Sequence, residues 1–326
     1  MTHTPLKSWI DGDTIVQVFP LSEAPLPTTV PSLFFRREQL ANHASNVIYS
    51  FILTSNQLDG MLAVFHCLPG QTHWCSPPSA PFGGLMPLSG CQLSQLTFLL
   101  TCVRQWIYHK GGSQLTIKTA PSCYDPAAHE LCHHSYLATG FLPNHTYSNH
   151  YIPIGSKDFR LIIEPPERRR LSKGKKFGLH VTIKQGVCDP FTEELLRECY
   201  RVHEYTPSIP MERLACFMRP NPDDYLILTN WFQARPVATA IMVRVSDNVL
   251  YHFLSGYLPE FRTLSPSLML FEAAYEFCRD NGMGILDLGI SLDHHGQEKP
   301  SLARFKKHIG AKECVKIVYE MIGPDF

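Results

Sequence analysis

The chain has 326 residues, of which 44% are hydrophobic and 18% charged, with 29 basic and 29 acidic side chains and no formal net charge. That length fits two domains of about 150 residues, and the apolar content excludes large-scale disorder. A neutral balance gives no long-range pull toward nucleic acid or an anionic membrane, though a local basic patch is compatible with it, and no stretch nears the roughly 18 unbroken apolar residues of a membrane span.

The early part reads as strands. Residues 46–54 and 58–67 flank Ser55-Asn56-Gln57, a hairpin signal, and Trp74-Cys75 opens a third strand. A helix from Cys91 to Lys110 stops at Gly111-Gly112, and Gln114 to Thr119 alternates as a strand. Asp125-Pro126 combines a cap with a first-turn proline and starts a helix that ends at Gly140. The second half repeats the plan. Strands are predicted at Tyr225–Trp231, Val237–Val245 and Val249–Tyr257, a helix from Ser265-Pro266 to Asn281-Gly282, and a strand at Gly284–Ile290. A helix at Ser301–Ile309 then stops at Gly310, and Cys314–Met321 closes as a strand. Gly112 and Gly282 are 170 residues apart, as are Gly140 and Gly310, and equal spacing of helix stops points to a duplicated domain.

Between the halves, two prolines precede the basic run Arg168-Arg169-Arg170-Leu171-Ser172-Lys173-Gly174-Lys175-Lys176. It reads as a connecting helix with a solvated charged face, or as a binder of a phosphate-rich ligand such as a coenzyme or a transfer RNA. The eleven cysteines contain no CxxC pair, and residues 1–10 lack an apolar signal core, so free thiols in a cytoplasmic protein are expected. Cys132, Cys199, Cys216 and Cys278 fall in predicted helices, where small buried thiols pack well.

One motif competes for the function. His129-Glu130-Leu131-Cys132-His133 matches H-E-x-x-H, the helix signature of zinc hydrolases. However, Ala128, Leu131, Cys132 and Ser135 form the apolar stripe of that helix, which turns both histidines outward, and no third ligand follows. No metal is expected.

The order of elements in each half (antiparallel strands, helix, strand, helix, last strand) resembles a GNAT acyltransferase fold. The run Arg168 to Val181 resembles the segment joining the two halves of FemABX-type aminoacyltransferases, which add amino acids to peptidoglycan precursors. Tyr257-Leu258-Pro259-Glu260-Phe261-Arg262 with Pro266-Ser267-Leu268 resembles that family's approach to its main helix, and Asp287-Leu288-Gly289 its Asp-hydrophobic-Gly strand end. Leu302, Phe305, Lys306 and Gly310 fit its L-x-x-F-K-x-x-x-G motif, and Ser76-Pro77 with Ala80-Pro81-Phe82-Gly83-Gly84 resembles a loop of its first half. Two features depart from the pattern. There is no heptad stretch for a coiled-coil arm. The segment Arg262 to Ser267, where GNAT enzymes carry a glycine-rich pyrophosphate loop, has no glycine, and Pro266 removes one N–H.

The resemblance implies an α+β fold of two tandem GNAT-like domains, residues 1–155 and 179–326, joined by a helical segment at 156–178. It implies transfer of an acyl or aminoacyl group from acyl-CoA (acetyl-CoA or longer) or aminoacyl-tRNA to an amine, such as that of a small molecule or a peptidoglycan precursor. The catalytic candidates are Tyr257 at a strand end, Asp287 in an otherwise apolar strand, and Lys306, which the family motif assigns to a phosphate or the tetrahedral intermediate. The cofactor candidates are Arg262, Leu264, Ser265 and Ser267, and the substrate candidates Ser291, Asp293 and Arg304. The loop Asp293-His294-His295 is read as surface. The alternatives are a GNAT-fold ligand-binding protein without catalysis, and the zinc hydrolase.

Overall fold

The computed structural model describes residues 4–27, 30–42, 47–56, 60–77, 80–204, 206–207, 209–293 and 295–323. Asn46, Gln57, Leu58 and His294, named above, lie outside the described residues. The chain forms two compact units. The first takes the residues up to Tyr147 and those from Val315 onward, and the second takes Ser148–Cys314. This division differs from the expected one. The helical segment at 156–178 belongs to the second unit, and the end of the chain returns to the first.

In the first unit, β1 (Lys7–Asp11), β2 (Thr14–Pro20), α1 (Arg37–Ala41), β3 (Tyr49–Ser55) and β4 (Met61–Cys67) come first. They are followed by β5 (His73–Ser76), β6 (Leu85–Pro87), α2 (Leu93–His109), β7 (Gln114–Lys118), α3 (Pro126–Ala138) and β8 (Leu142–Pro153), whose second half crosses into the second unit. The order β1-β2-β3-β4-β6 makes an antiparallel sheet, while β5 runs parallel to β7. Helix α2 buries Leu96, Leu99, Leu100, Val103 and Ile107, the i, i+3, i+4 stripe of an amphipathic helix. It stops at the expected Gly111-Gly112 pair, with the left-handed φ of 80° on Gly111. Gly140, Gly282 and Gly310 have φ of 81°, 68° and 91° and end their helices as predicted.

Helix α3 corrects the reading of its own faces. His133 turns inward, half-buried, with its ring nitrogen against the Tyr319 hydroxyl. Ser135 and Tyr136 are its buried residues. Among the described residues no group of three His, Cys, Asp or Glu is placed to hold a metal ion, and no helix is long and apolar enough to cross a membrane.

The second unit continues with α4 (Phe159–Ile162), α5 (Pro165–Lys176), β9 (Leu179–Gln185), α6 (Pro190–Val202), α7 (Met211–Met218) and β10 (Tyr225–Phe232). Then come β11 (Arg235–Ser246), β12 (Val249–Tyr257), α8 (Pro266–Asp280), β13 (Ile285–Ile290), α9 (Pro300–His308) and β14 (Lys312–Ile322). Beyond Cys314, β14 belongs to the first unit, where it pairs with β7. The order β8-β13-β12-β11-β10-β9 combines an antiparallel meander, one parallel step from β12 to β13, and an antiparallel return to β8. Helix α8 buries Leu268, Phe271, Ala274, Tyr275 and Cys278 beneath β9 to β13.

Helix α6 rests on β11 and β12. Cys199 and Cys278 are buried in their helices as expected, but Cys216 on α7 is exposed. The contact of α6 with β12 depends on a missing side chain, because a Cβ at Gly256 would lie 2.5 Å from the Cys199 Cβ. Gly256→Ala is expected to destabilise the fold by about 1–3 kcal/mol, the usual cost of overpacking. In chemical denaturation, the double variant with Cys199→Gly should lose less than the sum of the two single variants.

Candidate functional site

The parallel step of the second sheet holds for only three residue pairs, from Val249 opposite Ile285 to Tyr251 opposite Asp287. Beyond them β12 runs on to Tyr257 paired with β11 alone, and β13 runs on to Ile290 paired with β8. The two strands therefore part and leave a wedge with an open backbone edge on β12. An unpaired strand edge presents N–H and C=O groups that need partners. Helix α6 supplies two of them. The Ser255 amide gives a backbone hydrogen bond to the Tyr200 hydroxyl, and His203 Nε2 donates to the Tyr257 carbonyl at 3.1 Å.

Two charges of opposite sign are buried on β13 and α9. Asp287 is 1% exposed, and its Oδ1 accepts from Asn149 Nδ2 at 2.7 Å and from the Gly289 amide at 2.8 Å. Lys306 is 4% exposed, and its Nζ donates to the Gly289 and Ile290 carbonyls at 2.9 and 2.8 Å. Successive carbonyls of a regular strand point to opposite sides. Here the strand is irregular between Asp287 and Gly289, and Gly289 has a left-handed φ of 71°, a conformation that costs glycine little. The local sequence Asp-Leu-Gly thus aims two carbonyls at one ammonium.

Burial brings the Lys306 ammonium down to about 8, with Asp287 pulling the other way. His252 on β12 is pushed down to about 3 by burial and by the positive charge of Lys306, so it is neutral. Its ring stands edge-on to Phe271, and its Nε2 has no hydrogen-bond partner among the described residues. Burial, with Asp287 and Tyr200 nearby, raises the Tyr251 phenol well above its usual range. Tyr200 is pushed up to about 12 by burial, against the opposing hydrogen bond from Ser255. The Oδ1 of Asn149, a residue 1% exposed, has no partner among the described residues and stands as a free acceptor beside the carboxylate.

The expected residues divide. Asp287 and Lys306 come together at the foot of the wedge. Tyr257 lies at the far end of β12, half-buried, its ring 4.8 Å from that of His203. Ser291 is buried with its Oγ 3.4 Å from His150 Nδ1. Asp293 is a loop-forming residue, since its Oδ1 accepts from the His295 and Gln297 amides at 2.8 and 2.9 Å. Arg304 is exposed on α9 and is not drawn into the cluster. Leu264 ends a 3-10 turn at Pro259–Leu264 that also holds the exposed Arg262. Ser265 has a left-handed φ of 52°, and α8 then opens on Pro266. Because Pro266 has no N–H, Ser267 carries the first amide of that helix. The Pro266 carbonyl is held by Asn230 Nδ2 at 2.9 Å. Sequence reasoning did not find Asn149, Tyr200, Tyr251 or His252. The one available signal was polar and aromatic residues at positions 251 and 252, inside a strand otherwise rich in apolar residues.

A mixed sheet that splays between two parallel strands, with a helix starting beside the splay, defines an acyltransferase fold. Residues 185–307 match the family model of the acetyltransferase (GNAT) domain, and the fold of the chain resembles that of FemX and of a tandem GNAT protein. Three solved structures share the fold. FemX is 12% identical with a TM-score of 0.66, over 93% of this chain and 94% of its own. A tandem GNAT protein from the clavulanic acid biosynthesis pathway is 10% identical with a TM-score of 0.56, over 95% and 100%. The C-terminal domain of a putative lysylphosphatidylglycerol synthetase from Agrobacterium fabrum is 13% identical with a TM-score of 0.53, over 80% and 82%. No curated protein matches the chain by sequence.

Proposed function

We propose that the second unit is an N-acyltransferase whose reaction takes place in the wedge between β12 and β13. The observation that carries this reading is the pair of buried, opposite charges at the wedge's foot, Asp287 and Lys306. Acyl transfer to an amine needs a site for the ammonium, a route for its proton and a donor for the developing oxyanion. Asp287 attracts the ammonium of the acceptor. The amine nitrogen, once deprotonated, attacks the acyl carbonyl, and the carbonyl oxygen takes up negative charge. Lys306, as an ammonium, and the open-edge amides of β12 stabilise that oxygen. Asp287 takes the first proton of the ammonium, and the tetrahedral intermediate collapses as its C–O or C–S bond breaks, the second proton passing from nitrogen to the departing alcohol or thiol.

The reading of the donor rests on the start of α8. A coenzyme A pyrophosphate is held by several free amides at a helix N-terminus. Here Pro266 lacks an N–H, no glycine loop precedes it, and the Leu268 amide is bonded to the Ser265 carbonyl at 3.1 Å. This favours an aminoacyl ester of transfer RNA over an acyl-CoA, with the amine of a peptidoglycan precursor as the acceptor that the FemABX-like build favours.

The test is a melting-temperature titration with acetyl-CoA, longer acyl-CoAs and free coenzyme A, followed by transfer assays with charged transfer RNA and amine acceptors. The expected outcome is no saturable stabilisation by coenzyme A compounds at millimolar concentration, together with transfer from charged transfer RNA. A ligand present at about 100 times its Kd stabilises by about 2.7 kcal/mol, so saturable stabilisation by acyl-CoA would reverse the choice of donor.

A further inference from the structure

The basic run that follows Glu164 forms α5, and the helix sorts its residues onto two sides. Glu167, Leu171 and Gly174 are buried, and Gly174 comes close enough to the Leu264 carbonyl that a Cβ there would lie 2.9 Å away. The opposite side carries Arg168, Arg169, Lys173 and Lys176, all exposed. Of the six cations on the helix, two are matched. Arg170 is paired with Glu167 at 2.8 Å and Lys175 with Glu272 at 2.7 Å. The other four have no acidic partner among the described residues, in a chain whose formal charges cancel overall. Arg160 adds a fifth positive charge by donating to Ser172 on the same side at 2.5 Å.

Helix stability accounts for only part of this. Lysines in a last turn complement the helix dipole, which explains Lys173 and Lys176. Arg168 and Arg169 lie near the other end, where positive charge gains nothing from the dipole. An aromatic ring completes the surface. Phe177 follows the helix, is 57% exposed, and lies 5.9 Å beneath the Lys173 ammonium. Arg168, Arg169, Ser172, Lys173, Lys176 and Phe177 line a shallow concavity of about 460 Å³.

We propose that this face of α5 is a docking surface for a single-stranded RNA segment, with the cations tracking successive phosphates and one base stacked on Phe177. Cations interleaved with an exposed ring match the two repeating features of such a strand, a phosphate per residue and a flat π-face per residue. An anionic lipid surface would attract the same cations, and the exposed ring beneath Lys173 is the feature that favours a strand with bases to stack. The biological meaning of the site rests on the RNA-ester donor argued above. Its observations do not, because binding is read without turnover.

The experiment is fluorescence anisotropy of the full chain with labelled oligo(rA) 12-mer and with uncharged transfer RNA, at several salt concentrations. Four phosphate contacts give a log–log salt slope of about −3 for a single strand. Reversing the charges of Arg168, Arg169, Lys173 and Lys176 to Glu should abolish binding, and Phe177→Ala should weaken it by about 5- to 150-fold, the range for one stacked base. If the fourfold reversal fails to fold, the Phe177→Ala variant and the milder Arg168→Gln/Arg169→Gln pair carry the test. Equal affinity of wild type and these variants overturns the proposal, and so does absence of RNA binding at low salt. Binding to phosphatidylglycerol vesicles without RNA binding overturns it in favour of a membrane. Transfer from acyl-CoA with no RNA binding sinks the donor reading and the docking surface together. Binding through α5 without any transfer leaves the surface standing and sinks the acyltransferase reading alone.

Discussion

Lys306→Met should lower acyl transfer by at least about 100-fold, the usual cost of removing one oxyanion donor, while leaving the protein folded. Two effects on stability oppose each other. Holding an ammonium at about 8 instead of 10.5 means that the charged form is disfavoured in the fold. At about 1.4 kcal/mol per pKa unit, that penalty is on the order of 3 kcal/mol at neutral pH. Methionine removes it. The same change strips the Gly289 and Ile290 carbonyls of their donor, and each orphaned buried acceptor costs about 1–3 kcal/mol. The expected net change is therefore small, and the melting temperature should stay within a few degrees of wild type.

The pH dependence separates this from a merely structural lysine. Between about 8 and 10.5 the unfolded chain binds the Lys306 proton and the folded chain does not, so wild-type stability rises with pH across that window. Below 8 both states are protonated, and the penalty is fully present. Lys306→Met should lack this rise. For the reaction, a lysine acting as a cation predicts that kcat falls as pH rises through about 8. A kcat that instead climbs through the same pH would make Lys306 the base and overturn its assignment to the oxyanion.

Why the sequence yields part of this site and conceals the rest follows from how each residue is placed. Helices α2, α3, α8 and α9 are legible because each pairs a 3.6-residue apolar period with a cap or proline at its start and a glycine at its end. Asp287 stands out because a lone carboxylate in Ile-Leu-Asp-Leu-Gly-Ile must be buried with the strand. Strand β8 gives no such signal. Its first half is exposed, its residues Asn144 to His150 are polar or aromatic, and it has no alternation. It nevertheless delivers Asn149 and His150, both 1% exposed, to the site. Their burial is set by pairing with β13, a contact between residues almost 140 positions apart that no local pattern encodes. Tyr200 is hidden for a related reason. On α6 it looks like one more amphipathic-helix residue, and only the parting of β12 from β13 gives it an amide to hold. The exchange of the chain's last strand into the first unit is equally invisible, since β14 reads as an ordinary strand wherever it pairs.

Asp287→Asn isolates charge from shape. Asn149 Nδ2 and the Gly289 amide both donate to the same oxygen, Oδ1. An asparagine can present its own carbonyl oxygen at that position and keep both bonds, so the loss of stability should stay near 1–2 kcal/mol, within the usual range for one altered buried polar group. Asp287→Ala should cost more, because it leaves two buried N–H donors without an acceptor. Activity should respond in the opposite proportion. Both variants lack the carboxylate, and both should lose the acceptor's ammonium as a binding partner, seen as a rise in KM for the amine with a fall in kcat. The two charges are also coupled, since Asp287 holds the Lys306 pKa up against burial. In Asp287→Asn that support is gone, and the falling limb of kcat should move to lower pH. A limb that stays in place and an unaltered KM, with an effect on stability alone, would show that Asp287 serves the strand and not the reaction. The double variant Asp287→Asn/Asn149→Asp completes the test by moving the negative charge one strand over within the same hydrogen-bonded pair. It should regain stability relative to Asp287→Ala without regaining transfer, because the carboxylate would then start from β8 and no longer from the strand end that carries Gly289 and the two carbonyls held by Lys306.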